Sequence, residues 1–560
     1  MKRCRCLPVL LALLVSAGLA GCGRRETRVE AGIRQKVLHL VRGPEPQELD
    51  QHVVVGQPEH QMIMALVEGL VTEDPRDLHP VPGVAERWEQ SSDGRIYTFY
   101  LRRNARWSNG EPVTARDFLA SYHRALAPSM AYQYAYMFYV VRNAEAFNTG
   151  KLTNFVEVGF EVLDDYTFRV TLDSPTPYFL SLLNHMAWFP VHLPTIARHG
   201  DPFQRGTIWT RPGHYVGNGP FVLAEWRVNY KIVMKRSPTY WDATNVHLNE
   251  IHFYTMDNQD AEERAFRSGQ LHLNFILPSA KIDRYRREHP ELLRIDPHLA
   301  TYFYRINVTK PALQDKRVRQ ALNIAIDRES LVRNVTRGGQ LAAFSVVPPG
   351  TAGYTSRTSI SKDLARARQL LREAGYPNGQ GLPPIDILYN TMEDHRRIAE
   401  AIQQMWKDNL GVEARLVNEE WKVYLESMHS LNYGVARGGW VGDYVDPNTF
   451  LDCWLTGGGN NDTGWSNANF DRLLKEAAAA IDPARRFELF HQAEAILLDE
   501  LPIIPLYYYT RVFLQHPSVQ GWYPTLNDNH PYKYVDLLPL NYPLTLSPAP
   551  LGGARLASPQ

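Results

Sequence analysis

The segment Arg437-Gly-Gly-Trp-Val-Gly-Asp-Tyr-Val-Asp-Pro447 gathers residue types that can hold an extended guest chain. Gly438, Gly439 and Gly442 leave the backbone bare, so a second chain can approach closely. Exposed N–H and C=O groups there can pair with an extended segment, as when a strand is added to a sheet edge, and such bonds ignore side-chain identity. Asp443 can accept an α-ammonium group. In a closed, water-poor cleft a charge-assisted bond of this kind is strong, and leaving either partner unpaired costs about 2–5 kcal/mol. Ordinary readings stand beside these: Asp443 can cap a turn or helix at Asp446-Pro447, and Arg437 can serve a structural ion pair.

Signatures of catalysis are missing. The chain has no G-x-S-x-G elbow, no H-E-x-x-H, no P-loop, and no G-x-G-x-x-G after a strand. Its 19 His are scattered without ligand spacing, so no metal and no cofactor are expected. Gly457-Gly-Gly-Asn460 lacks the Lys and Ser/Thr of a phosphate cradle and reads as a turn. Neighbouring acids such as Glu419 and Glu420 point different ways on one element. The chain is expected to bind, not to act as an enzyme.

The elements that must position these residues alternate along the chain. Val37–Val41 opens the first strand pattern, and strands are expected at Tyr97–Leu101, Phe168–Leu172, Ile232–Lys235 and Ile385–Tyr389, which are rich in β-branched and aromatic residues. Helices are expected at Asp117–Ala127, Val318–Ile326, Asp363–Ala374 and Ile398–Leu410. Val318, Ala321, Leu322 and Ala325 fall at i, i+3, i+4 and i+7, one buried helix face. Asp363 caps a helix that stops at Gly375 before Pro377. The result is a mixed α and β fold. At 560 residues, two or three lobes are expected.

Sixty basic and sixty acidic residues cancel, so no global field draws the chain to nucleic acid. Lys2, Arg3 and Arg5 precede an apolar stretch from Leu7 to Leu14, too short to span a bilayer but suited to a signal peptide. It ends in Leu19-Ala-Gly-Cys22, which resembles the bacterial lipobox, so Cys22 is the expected lipidation site. Cys4 and Cys6 would leave with the leader, and Cys453 would remain alone without a disulfide. Residues 22–36 read as a polar tether, and the Pro-, Gly- and Ser-rich end at 546–560 as a disordered tail.

Blocks in a fixed order carry a family likeness. They are Leu66-Val-Glu-Gly-Leu-Val71, Pro80-Val-Pro-Gly-Val-Ala-Glu-Arg-Trp88, Trp107-Ser-Asn-Gly-Glu-Pro112, Val216-Gly-Asn-Gly-Pro-Phe221, Tyr240-Trp-Asp242, Asp315–Asp327, Val347-Pro-Pro349 and Gly464-Trp-Ser-Asn467. From about Leu38 to Asn541 the chain resembles bacterial extracellular solute-binding protein family 5, the oligopeptide- and dipeptide-binding proteins of ABC importers. The resemblance implies a periplasmic-binding-protein-like fold of type II, with two main lobes, a hinge and an extra subdomain. Lobe I would comprise 37–67, 192–299 and 511–545, the extra subdomain 68–191, and lobe II 300–510, behind a signal peptide at 1–21. It implies a monomeric binding protein outside the cytoplasm, lipid-anchored through Cys22, that takes a short peptide and hands it to permease subunits.

The resemblance also implies site roles. Asp443 would hold the peptide N-terminus, and Gly439, Trp440 and Val441 would pair with its backbone. Arg437 and His395 would meet the ligand carboxylate. Trp421 would be a pocket aromatic, Tyr132 a tyrosine facing the ligand from the other lobe, and Tyr509 a neighbour of the ammonium site. Val55, Gly56 and Gln57 would form the opposite backbone-pairing edge. Without the resemblance, His395 reads as a surface residue among charges, and Trp421 and Tyr132 as core. Two departures stand out: Ala300 and Val441 occupy places where some relatives carry a cysteine pair, and Val55 stands where some carry Glu. The same architecture with another ligand, such as a murein peptide, a metal chelate or haem, and a sensing role without transport, remain open at this point.

Overall fold

The computed structural model describes residues 26–43, 45–256 and 258–540, without the side chains of Trp421 and Lys422. The expected signal peptide, Cys22 and the tail at 546–560 lie outside the described residues.

Three larger sheets organise the chain. The first runs in the order Val37–Val41, Glu250–Tyr254, Lys231–Arg236, Phe221–Arg227, with the first pair parallel and the rest antiparallel. Val37–Val41 is buried at every position, as a strand covered on both faces must be. The second sheet is antiparallel: Ala85–Gln90, Ile96–Leu101, Thr167–Thr171, Phe160–Asp164. Tyr97, Phe99 and Leu101 alternate inward onto a core that includes Trp107, Phe118, Tyr122 and Trp188.

The third sheet has six strands in the order Leu341–Ala342, Ile503–Leu514, Leu293–Ile306, Val435–Val441, Ile385–Asn390, Ala414–Glu419. Alternation along its central strand feeds two cores. Tyr302, Tyr304 and Ile306 pack with Val318, Leu322, Ile402 and Trp406 on one face. Phe303 packs with Trp454, Phe470 and Leu497 on the other. The expected helices form at Ala115–Leu126, Lys316–Ile324, Leu364–Glu373 and Glu393–Leu410. Asp117 is not the first residue of its helix: it is the third-position acid of a capping box with Thr114.

Leu293–Ile306 and Ile503–Leu514 are the two longest strands and pair antiparallel along their length. One end of the pair, at Leu293 and Leu514, packs with Val41 and Tyr254 of the first sheet. The other end lies inside the third sheet. Register breaks between Pro297 and Thr301, between these two ends.

One reading is corrected. The expected tether at 22–36 contains a helix, Arg28–Gln35, closed by a capping box between Thr27 and Glu30. Val29 is buried, and Gly32 lies so close to the Val37 carbonyl and the His272 ring that a Cβ would stand 2.5 and 2.7 Å from them. T-x-x-E before an apolar residue is a helix-start signal, and it outweighs the polar composition. No helix among the described residues is long and apolar enough to cross a membrane.

Candidate functional site

The site is built on one half-paired strand. Val435–Val441 pairs with Leu293–Ile306 along its whole length, from Ala300 opposite Val441 to Ile306 opposite Val435. On its other side Ile385–Asn390 reaches only Val435 and Ala436. The Gly442 N–H donates to the Leu299 carbonyl, which sets the alternation of bonded pairs. Gly438 and Trp440 therefore turn their peptide groups to the neighbouring strand, and Arg437, Gly439 and Val441 turn theirs outward. The Arg437 carbonyl accepts from the Tyr424 hydroxyl. Gly439 and Val441 have no strand partner on that edge among the described residues, a short open template for an added strand.

The glycines divide their work. A Cβ on Gly438 would lie 2.5 Å from the Phe303 ring, and one on Gly442 would lie 2.7 Å from a Leu299 methyl. Both are set by packing inside the protein, not by a guest. Gly439 faces Tyr509 Oη, 3.0 Å from its would-be Cβ, and it alone of the three belongs to the open edge.

Beyond the strand, Asp443 faces a cavity of about 250 Å³ lined by Val55, Gly56, Gln57, His60, Tyr134, His185, Trp440, Val441 and Asn527, among others. Its carboxylate accepts from Tyr136 Oη at 2.9 Å, and its N–H donates to Thr449 Oγ1 at 3.1 Å. No Lys, Arg or His among the described residues pairs with it. Burial raises its pKa from 3.8 to about 6, and the Tyr136 hydrogen bond opposes that rise. Asp452, in the same acidic neighbourhood, is raised further by burial and by the Asp443 charge. The capping role belongs to Asp446, which accepts from the Asn448 N–H and pairs with buried Arg486 at 2.6 Å. Asp443 is left free to meet a cation. His60 and His185, stacked 5.3 Å apart beside it, are kept neutral by burial.

Arg437 lies in an adjoining cavity of about 370 Å³, which shares Gln57 and Val441 with the first. Its Nη2 donates to Tyr509 Oη at 2.9 Å, and the guanidinium stands 5.1 Å over the Tyr302 ring. Its Nε is buried without a partner. No carboxylate among the described residues forms an ion pair with it, so the structural-pair reading does not apply. The cleft thus presents an uncompensated anion at one end and an uncompensated cation at the other, joined by an open strand edge.

Other expected residues fall differently. His395 is 4% exposed, not a surface residue, and hydrogen-bonds Tyr302 Oη through Nδ1 at 3.3 Å. Burial and the nearby Arg437 charge lower its pKa to about 2, so it lines the cavity as a neutral group, not as a second cation. Tyr132 is buried with its hydroxyl on the Gln51 carbonyl at 2.8 Å, and Tyr134 takes the place facing the cavity. Tyr509 stands beside Arg437, not beside Asp443. Val55, Gly56 and Gln57 lie across the cavity, not as a strand: Gly56 is the extended cap of the Gln57–Leu66 helix, and Gln57 is its first residue. Trp421 starts the Trp421–His429 helix; its side chain lies outside what is described. Tyr134, Tyr136, His60, His185 and Asn527 were not singled out from sequence; the aromatic run Tyr132-Gln-Tyr-Ala-Tyr136 was the available signal.

Known proteins are similar to this one over most of the chain. Residues 79–462 match the bacterial extracellular solute-binding proteins, family 5. The periplasmic oligopeptide-binding protein OppA of Salmonella typhimurium is 36% identical over 526 residues, covering 92% of this chain and 95% of that protein. The dipeptide-binding protein DppE of Bacillus subtilis is 35% identical, covering 94% and 97%. Among solved structures, the murein tripeptide binding protein MppA of Escherichia coli superposes with a TM-score of 0.81 at 34% identity, covering 90% of this chain and 99% of that one. The Haemophilus influenzae OppA complex gives a TM-score of 0.79 at 32% identity, again covering 90% and 99%. The chain has the mixed α and β periplasmic-binding-protein fold, and it belongs to the bacterial extracellular solute-binding proteins, family 5.

Proposed function

We propose that the protein captures short peptides and delivers them to the permease subunits of an ABC importer. The carrying observation is that Asp443 and Arg437, each hydrogen-bonded to a tyrosine hydroxyl but without an ion-pair partner among the described residues, lie along one strand edge with outward peptide groups between them. Asp443 takes the α-ammonium, Gly439 and Val441 bond the guest backbone, and Arg437 takes a carboxylate. Val55, Gly56 and Gln57 bound the guest from the opposite side, with His395, Tyr509 and Trp440 shaping the walls. Relatives named as oligopeptide- and dipeptide-binding proteins support the peptide class.

Capture proceeds by closure. The Leu293–Ile306 and Ile503–Leu514 strands act as the hinge between the bodies, and their broken register at Pro297–Thr301 is the natural place to flex. Ser279 Oγ to Asp394 at 3.0 Å and Tyr136 to Asp443 are contacts that close the cleft. The lobes follow the divisions expected from sequence, the protein acts as a monomer, and Cys22 carries the lipid that holds it at a membrane outside the cytoplasm. No catalytic step is assigned to it.

Native mass spectrometry of the purified protein tests this directly. Co-purified masses that fragment as free-amine peptides are expected. A protein that carries only non-peptide ligands, or cleaves added peptides, would overturn the proposal.

A further inference from the structure

Around Arg437 the cleft wall is apolar. Phe275, Ile276, Leu277, Ile282, Ile398 and Val512 line the same cavity as the guanidinium. Phe275, Ile276 and Val512 are half-buried and present the apolar surface, and Leu277, Ile282 and Ile398, at most 2% exposed, back it and fix it in place. The other charged groups of the cavity are Asp528, Arg511 and Asp394. Asp528 is held by Arg42 at 2.9 Å, by Arg511 at 3.1 Å and by His530 at 3.0 Å. Asp394 accepts from Ser279 and sits in the first turn of the Glu393–Leu410 helix, where the dipole favours a carboxylate. His395 is neutral. Among the described residues Arg437 is the one cation of the cavity with no opposite partner, since Arg511 is paired with Asp528.

From this combination we propose that the Arg437 compartment selects ligands whose carboxylate-bearing residue has a bulky apolar side chain, such as a C-terminal Phe or Leu. The inference rests on the peptide reading above and adds a side-chain preference to it. A basic side chain finds Asp528 already paired and only Asp394, which accepts from Ser279 at the start of its helix. An acidic one competes with the terminal carboxylate for a single guanidinium. A small one leaves the apolar wall facing water, so the free energy of burying that surface is not gained.

Calorimetric titration of the whole protein decides it, with alanine tripeptides and tetrapeptides ending in Phe, Leu, Ala, Lys or Asp. The Phe and Leu endings are expected to bind about tenfold or more tighter than Ala, and the Lys and Asp endings no tighter than Ala. Ile276→Glu, at a half-buried wall position, should erase the advantage of Phe and favour Lys over Ala. If that variant does not fold, the series on the unaltered protein still decides. Equal affinity for all endings overturns the side-chain preference and leaves peptide capture standing. Failure of every member to bind overturns peptide capture, and this inference with it.

Discussion

Tyr136 Oη lies 2.9 Å from Asp443 Oδ2, although the two residues sit 307 positions apart in the chain. One hydroxyl is a modest partner for a desolvated carboxylate. The contact therefore marks where a stronger donor belongs. A guest ammonium at this point can join Tyr136 in satisfying Asp443.

Replacing the carboxylate separates binding from folding. Burial raises the Asp443 pKa from 3.8 to about 6, so the empty protein loses stability as pH rises from the lower value through the higher. At pH 7 the ionised group costs at most about 3 kcal/mol. Asp443→Asn should thus hold or raise the Tm of the empty protein. It should weaken peptide binding by about 2–5 kcal/mol. Thermal denaturation and calorimetry on the same sample read both effects, and a variant that melts earlier yet binds normally would contradict the assignment.

The same shift makes binding depend on pH. An ammonium beside Asp443 lowers its pKa below the empty-site value, so binding releases a proton when pH lies between the two. Tyr136, neutral His60 and neutral His185 face the group, and Asp452 keeps its own proton at neutral pH because its pKa is raised to about 8. Affinity should be level from about pH 6.5 to 7.5, the upper limit being set by the peptide's own amine. Below pH 6 it should fall by at most about tenfold per unit. Titrations at pH 6 in buffers of different ionisation enthalpy count the proton. Uptake in place of release would contradict the placement of the ammonium.

Arg437 should be read through the ligand's other end. Arg437→Gln is expected to weaken free-acid peptides by about 2–5 kcal/mol and to leave C-terminal amides nearly unchanged. His395→Gln should not reproduce that difference, because His395 carries no charge to lose. Equal losses for acid and amide in Arg437→Gln would place the carboxylate elsewhere.

Gly438 tests the packing account of the strand. A methyl there meets the Phe303 ring at 2.5 Å, so Gly438→Ala should cost about 1–3 kcal/mol of stability by overpacking. Denaturant unfolding measures it. An unchanged midpoint would mean that the ring yields freely and that the glycine is not required by the core.

Much of this was legible in the residues, and the exceptions share a cause. Alternation at Tyr97–Leu101 and the i, i+3, i+4 pattern from Val318 are local, and both elements formed where expected. The open edge was foreshadowed by Gly439 beside Trp440, but the roles of Gly438 and Gly442 depend on Phe303 and Leu299, more than a hundred positions away. His395 read as exposed because Asp394, Arg396 and Arg397 surround it. Yet His395, Ile398, Ala399, Ile402 and Trp406 form one buried face, and that periodicity outweighs the charges. Tyr132 and Tyr134 exchange places because the Gln51 carbonyl satisfies Tyr132 from a distant segment. No local pattern announces such a partner.

Calorimetry of one bound peptide in two forms, with a free amine and N-acetylated, reaches the centre of the account. A closed cleft in which Asp443 grips a positive terminus should bind the acetylated form at least about thirtyfold more weakly. Equal affinity for the two would contradict it.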